Sequence, residues 1–270
     1  MGGYKIALYH ILLLALIQGI TEFLPVSSSG HLVVTSQLLG WPDQGLVIDV
    51  AVHLGTLFAV MLYFWRDIWF IAVDLTRLAI GRGGAGAQLA GRLLIATVPV
   101  FIVGYLARDE IGSWLRDAEI IAWATIGFAI VLWIADRLGM TVHRIEHIGV
   151  GNAVFIGLMQ VLALVPGVSR SGITMTAGRL LGLERQEAAR FSLLLSIPTI
   201  VGAAALSGVE IYQAGDPGLG QDAALAVGLS FVTGLAAIAA MMHWLKRAGF
   251  GIFVVYRLAL GAGLLYWIYS

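Results

Sequence analysis

Residues 16–40, LIQGITEFLPVSSSGHLVVTSQLLG, and residues 158–182, LMQVLALVPGVSRSGITMTAGRLLG, align without a gap at an offset of 142 positions. Nine of the 25 positions are identical: Leu16, Gln18, Val26, Ser27, Ser29, Gly30, Leu38, Leu39 and Gly40 return as Leu158, Gln160, Val168, Ser169, Ser171, Gly172, Leu180, Leu181 and Gly182. Polar clusters are among the matches, so shared oiliness does not account for them. Each segment belongs to an apolar region, roughly 6–40 and 148–182, broken in the middle by a Pro/Gly/Ser cluster. A helix needs about 20 apolar residues to cross the hydrocarbon core, and each arm is too short to do so. The pattern predicts two re-entrant hairpins that enter and leave on one side. Their irregular backbone must be shielded by protein or by a water-filled cavity.

Working outward, the rest of the chain fits a membrane solvent. The 270 residues are 59% hydrophobic and 12% charged, with a mean hydropathy of +0.91; soluble domains carry about 25% charged residues. The formal net charge is zero and there is no cysteine, which excludes disulfides, thiolate metal sites and a cysteine nucleophile and gives no indication of nucleic-acid binding. The first apolar run follows Lys5 but contains Gln18 and Glu22 and lacks a small-residue cleavage motif. It is therefore expected to stay in the membrane domain rather than act as a signal peptide. Six spans are predicted: about 47–65, 93–107, 118–136, 188–208, 222–244 and 251–269. The fold class expected is an all-α polytopic membrane protein with six transmembrane helices and two re-entrant hairpins. It forms a single membrane domain, with repeats of about 1–140 and 145–270.

Charge sets the direction. The connection 66–92 carries Arg66, Arg77, Arg82 and Arg92; 137–147 carries Arg137 and Arg144; 245–250 carries Lys246 and Arg247. The loop 209–222 has Glu210, Asp216 and Asp222 and no basic residue, and the loop with Arg108, Asp109, Glu110, Arg116 and Asp117 is mixed. Basic loops stay cytoplasmic. Both termini and the first hairpin then begin outside, the second hairpin begins inside, and the halves are inverted. Inverted repeats with broken helices place their site near the midplane, where the repeats meet.

The copies differ where chemistry is possible. Glu22 stands against Leu164, Ser28 against Arg170, and His31 against Ile173. One copy supplies an acid, an extra hydroxyl and an imidazole; the other supplies a fixed cation. After each turn the serines and glycine (Ser27, Ser29 and Gly30; Ser169, Ser171 and Gly172) are expected to start a helix, whose unpaired N–H groups and dipole suit an anion. Arg170 adds a planar fork suited to phosphate oxygens. Gln18 and Glu22, four apart, share a helical face. Serines in membrane helices often serve packing, and His10, His53 and His243 read as satisfied core groups, with some reserve for His53. Buried charges are different, because function is the default reading of an intramembrane Glu or Arg. Glu22 and Arg170 carry the weight, and Asp49 is a weaker candidate. Trp65, Trp69 and Trp267, near span ends, read as interface anchors.

QGITEFLPVSSSGH and PGVSRSG resemble the two signature motifs of the bacitracin-resistance family of undecaprenyl-pyrophosphate phosphatases, and EAARFSLLLSIP (187–198) extends the similarity along the chain. The resemblance implies a membrane enzyme that hydrolyses undecaprenyl pyrophosphate to undecaprenyl phosphate and inorganic phosphate. That reaction recycles the lipid carrier for wall polymers, and bacitracin resistance follows from overproduction. It implies a divalent cation, Mg2+ or Ca2+, at Glu22 and Gln18, the chain carrying the Gln form of the first motif. By position, Ser28 becomes the nucleophile, with Glu22 and His31 acting around it. Arg170 and the hydroxyls of Ser27, Ser29, Ser169 and Ser171 grip the phosphates. Partners expected are the undecaprenyl pyrophosphate lipid and membrane lipid, with no nucleic acid and a homodimer left open. The expected location is the inner membrane, with the site open toward the periplasm. A transporter or flippase of a polyprenyl phosphate lipid is the rival class, since inverted repeats also build transporters.

Overall fold

The computed structural model describes residues 8–41, 46–107, 117–139, 141–214 and 220–270, with the side chains of residues 38 and 209–214 left aside. Lys5, the mixed loop from Arg108 to Arg116, and Asp216 lie outside the described residues, as does the side chain of Glu210. Among those described there are eleven α-helices and no named strand. They are α1 (Leu8–Thr21), α2 (Ser28–Leu39), α3 (Leu46–Tyr63), α4 (Trp65–Leu78), α5 (Ala85–Leu106), α6 (Ala118–Leu138), α7 (Val150–Val161), α8 (Arg170–Leu180), α9 (Arg185–Ala214), α10 (Gln221–Trp244) and α11 (Gly251–Tyr269). Six contain segments long and apolar enough to cross a bilayer: α3, α5, α6, α9, α10 and α11. The protein is an all-α polytopic membrane protein.

The four hairpin arms are short: 14 and 12 residues in α1 and α2, 12 and 11 in α7 and α8. At 1.5 Å per residue they reach about 17–21 Å, against roughly 30 Å of hydrocarbon. Contacts show that the chain turns back. Ile11 near the start of α1 shares a buried cluster with Ile48 near the start of α3 and Ala223 near the start of α10. The first hairpin therefore begins and ends at one side. The second does the same: before α7, the Ile145 N–H donates to Glu187 Oε2 in the first turn of α9 at 3.0 Å. Gln186 Nε2 beside it donates to the Met242 carbonyl at 3.1 Å, near the far end of α10. Since α10 has 24 residues, about 36 Å, the hairpins open at opposite ends. Each half has three crossings, an odd number, so the second half runs upside down.

The pairing of helices keeps this symmetry. In repeat one α1 packs on α10, and in repeat two its counterpart α7 packs on α5; α3 meets its own counterpart α9, and α6 meets α11. Small residues permit these approaches. A Cβ added at Gly157 of α7 would lie 2.7 Å from the Ala96 carbonyl of α5, so any side chain there pushes the two helices apart.

One expected connection is partly helical. Most of α4 falls within residues 66–92; it starts at Trp65 after a break at Phe64, so the span expected at 47–65 ends at Tyr63. Trp65, Trp69 and Phe70 are exposed on α4, whereas Asp74 is buried and accepts the Gly86 N–H at 2.8 Å to hold the next span. The span expected at 93–107 is longer, because α5 begins at Ala85. Basic connections gather at one end of the bundle. Asp136 accepts from Arg185 Nε at 2.7 Å, Arg179 Nε at 3.3 Å and the Phe250 N–H at 3.2 Å, and Arg190 of α9 pairs with Asp67 of α4.

Candidate active site

Both hairpin turns depend on a serine in an unusual backbone. Ser27 and Ser169 each have φ of 74°, and among the described residues they alone combine a positive φ with a side chain. The left-handed region costs roughly 1–2 kcal/mol for such residues, and it recurs at equivalent places. Each serine caps the helix it precedes: Ser27 Oγ accepts the Gly30 N–H at 3.3 Å, and Ser169 Oγ accepts the Gly172 N–H at 3.1 Å. Glycine fits closely three residues after each cap, where a Cβ would come within 3.2 Å of Ser27 Oγ or 3.0 Å of Ser169 Cβ. The cap leaves the N–H groups of the first two helical residues without intrahelical acceptors.

The turns meet tip to tip. The Gly167 N–H donates to Ser27 Oγ at 3.1 Å, and Ser171 Oγ donates to the Leu24 carbonyl at 2.8 Å. Arg257 of α11, fully buried, clamps them from behind through carbonyls: Gly167 at 2.8 Å, Thr125 at 3.2 Å and Pro25 at 3.5 Å.

Glu22 is the centre of this junction. Its Oε2 accepts from Ser28 Oγ at 2.7 Å and Gln18 Nε2 at 2.9 Å, while Oε1 accepts from Arg170 Nη2 of the other repeat at 2.8 Å. Arg170 is steadied through Nη1 by the Ser192 carbonyl at 3.2 Å; Ser192 belongs to the EAARFSLLLSIP stretch. These two contacts leave further hydrogens of the guanidinium fork for a ligand. A cavity of about 380 Å³ opens here, walled by Glu22, Ser28, Ser29, Asp49, His53, Ser169 and Arg170, and by an apolar face that includes Ile200 and Ala204. A second of about 440 Å³ adjoins it, sharing Ser28, Ser29, Asp49 and His53 and adding Gln18 and Trp41.

The structure thus brings together Gln18, Glu22, Ser28, Ser29, Ser169 and Arg170. Ser27 and Ser171 are buried cross-links between the turns and line neither cavity, as do Gly30 and Gly172 beneath the caps. His31 is not brought to the Ser28 cavity. Its Nδ1 is 2.7 Å from the Ser27 carbonyl and its Nε2 is 2.6 Å from Tyr256 Oη, with the two rings stacked. A carbonyl only accepts, so Nδ1 carries hydrogen and Nε2 accepts the tyrosine hydroxyl in the neutral ring. His31 therefore braces the cap from outside.

His53, read from sequence as a core group, is instead at the site. It lines both cavities, and its Nε2 is 4.0 Å from Glu22 Oε2. The available signal was the pair Asp49 and His53, four apart on one face of an apolar helix. Tyr256 and Arg257 were also missed, although an arginine inside a span calls for a partner.

A divalent cation fits the donors. Gln18 Nε2 is committed to Glu22, and Gln18 Oε1 is buried without a hydrogen-bond partner. Reversing the amide would set two acceptors against each other, so its oxygen is the atom left over. Oxygen donors from Glu22 and Gln18 suit a hard cation. No cluster of three or more His, Cys, Asp or Glu that could hold a metal occurs among the described residues. One or two carboxylates with substrate phosphates is the usual Mg2+ arrangement.

An inverted-repeat membrane fold whose broken helices aim two capped N-termini, an arginine and a carboxylate–serine pair into one cavity defines a class: membrane proteins built to handle a phosphorylated lipid. The chain belongs to the family described as bacitracin resistance protein BacA, whose pattern matches residues 11–263. It is 48% identical over 265 residues to the undecaprenyl-diphosphatase of Roseobacter denitrificans, covering 97% of this chain and 99% of that one. It is 49% identical to undecaprenyl-diphosphatase 1 of Rhodospirillum rubrum over 268 residues, covering 96% and 94%. With the undecaprenyl-diphosphatase of Alcanivorax borkumensis it shares 48% over 265 residues, covering 96% and 98%.

Proposed function

We propose that the protein is an integral membrane phosphatase that hydrolyses undecaprenyl pyrophosphate to undecaprenyl phosphate and inorganic phosphate. It returns the lipid carrier to cell-wall synthesis. The observation that carries the reading is the Ser28–Glu22–Arg170 arrangement: a hydroxyl, its proton acceptor and a phosphate-binding fork, assembled across two repeats in one cavity. The relatives, named for this activity over nearly their full length, support it. A transporter would not need a serine held at 2.7 Å from a buried carboxylate.

The chain's own groups supply the nucleophile, its proton acceptor and the phosphate grip for a two-step displacement. Arg170 and the open N–H groups of α2 and α8 hold the terminal phosphate, and Ser29 and Ser169 line the same cavity. Ser28 Oγ attacks the terminal phosphorus as its proton passes to Glu22 Oε2. The bond from that phosphorus to the bridging oxygen breaks, and undecaprenyl phosphate leaves. A phosphate ester with a second pKa near 6 is a competent leaving group without an acid beside it, in keeping with His31 standing away. Glu22 releases that proton to solvent, then accepts one from the water that displaces phosphate from Ser28 and returns it to Ser28 Oγ. A divalent cation held by Glu22 and Gln18 supplies neutralising charge for the phosphate oxygens.

The apolar wall of Ile200, Ala203 and Ala204 gives the prenyl chain a path toward lipid. Both cavities run from the hairpin tips toward the side where the first hairpin opens, through Leu46 and Ser207 in one and Ser36 and Trp41 in the other. That side is opposite the basic connections. With those in the cytoplasm, the protein sits in the inner membrane and its site faces the periplasm.

The test is phosphate release from a prenyl pyrophosphate in detergent, where transport has no meaning, with and without a chelator. Cation-dependent release is expected. Absence of release under any cation, with lipid movement in vesicles, would reassign the protein to the transporter class.

A further inference from the structure

His53 is oriented as a ligand is oriented, in the cavity that Arg170 also lines. Its Nδ1 is 2.7 Å from the Asp49 carbonyl one helical turn earlier. Because that oxygen only accepts, Nδ1 carries the hydrogen, and the lone pair of neutral His53 is on Nε2. Metal-binding histidines are usually fixed this way, with the far ring nitrogen donating to a carbonyl or carboxylate. Nε2 faces Glu22 Oε2 at 4.0 Å. With the ring neutral both are electron-rich atoms, and a positive charge between them satisfies both. Ligands on one small divalent ion, each about 2.1 Å from it, can be no more than about 4.2 Å apart.

A second observation points to the same place. Gln18 is fully buried, its Oε1 has no hydrogen-bond partner, and the residue lines the cavity that His53 also lines. Its repeat counterpart Gln160 is spent on packing, donating to the Ala96 carbonyl at 3.1 Å. Among the described residues no other histidine lines either cavity.

We propose that His53 Nε2 is a ligand of the catalytic divalent cation, alongside Glu22 Oε2 and Gln18 Oε1. The proposal rests on the phosphatase reading and assigns a nitrogen to a site that the motif alone makes all-oxygen. A mixed set shifts preference from Ca2+ toward transition ions, which take imidazole more readily.

The experiment uses the full-length enzyme in detergent with Mn2+ as the probe, read by electron spin-echo envelope modulation, with phosphate release followed in parallel. Wild type is expected to show nitrogen modulation from a directly bound imidazole. His53→Gln should lose it and bind Mn2+ at least tenfold more weakly, the lower end of what disturbing even a ligand's supporting partners costs. His31→Gln should keep the modulation. Wild type that releases phosphate with Mn2+ but shows no nitrogen coupling overturns the proposal and leaves the phosphatase reading intact; this arm needs no variant to fold. Modulation that persists in His53→Gln also overturns it. Failure of wild type to release phosphate with any cation would instead strike the phosphatase reading itself.

Discussion

The three adjacent serines have the same chemistry and should fail in three different ways. Ser28→Ala removes the hydroxyl held 2.7 Å from Glu22 Oε2, and with it the attacking oxygen, so turnover should fall to background while the fold persists. Ser27→Ala should act on stability. Ser27 Oγ accepts from Gly30 at 3.3 Å and Gly167 at 3.1 Å, and each lost bond costs about 1 kcal/mol, roughly 2 kcal/mol in all. Alanine also keeps the strain of a φ near 74°. Ser27→Gly relieves that strain and should be more stable than Ser27→Ala by about 1 kcal/mol. Ser29 is exposed in the cavity; its loss removes one hydrogen bond to a charged phosphate, about 1.5–3 kcal/mol, or roughly tenfold to a few hundredfold in rate. The assay is steady-state phosphate release at saturating cation, with thermal midpoints in detergent for each variant. Ser28→Ala turning over as well as Ser29→Ala would refute the covalent route and make water the attacking group. Ser27→Ala more stable than Ser27→Gly would refute the account of the cap.

Two further outcomes follow from the geometry. Arg170→Lys keeps the charge but cannot reach Glu22, Ser192 and a phosphate from one nitrogen, so kcat/KM should drop at least tenfold with little change in thermal midpoint; unchanged kinetics would reduce Arg170 to a general electrostatic role. In intact cells, with no native cysteine to interfere, Gly220→Cys should react with an impermeant thiol reagent and Arg82→Cys should not, and the reverse pattern would turn the whole topology over.

What could be read from the sequence depended on how local the signal was. The hairpins were legible because their arms are too short to span and because Pro/Gly/Ser turns interrupt both. Gln18 and Glu22 were legible as a pair because one helical turn joins them, and the structure places their side chains at 2.9 Å. Proximity along the chain misled for histidine. His31 lies one turn from Ser28, yet Tyr256, 225 residues away, takes up its Nε2. His53 is far from Ser28 along the chain and reaches the cavity only because α3 packs against α1 and α9. Helix α4 was hidden by its own arginines, which identify a connection by charge while its buried Asp74 reveals an ordered element only in three dimensions.

The meeting of the tips explains why the copies had to diverge where they did. Positions serving the turn itself stay alike: Ser27 and Ser169 share a φ of 74°, and Gly30 and Gly172 share the close approach to their caps. Charged positions that project into the junction cannot stay alike. Two arginines there would bury like charges against each other, and two glutamates would do the same with opposite sign. At effective dielectric constants near 20, like charges about 4 Å apart repel by roughly 4 kcal/mol. Dividing the roles leaves one Glu22–Arg170 pair at 2.8 Å, each side neutralising the other. Breaking a buried pair of that kind costs about 3–5 kcal/mol, so Arg170 keeps Glu22 and offers its remaining N–H groups to the phosphate, whose further negative charge then needs another positive partner. A cation on the Gln18 and His53 side of Glu22 meets that need. The divergence of the repeats and the proposed divalent ion then answer one constraint, the placing of opposite charges where two similar turns converge.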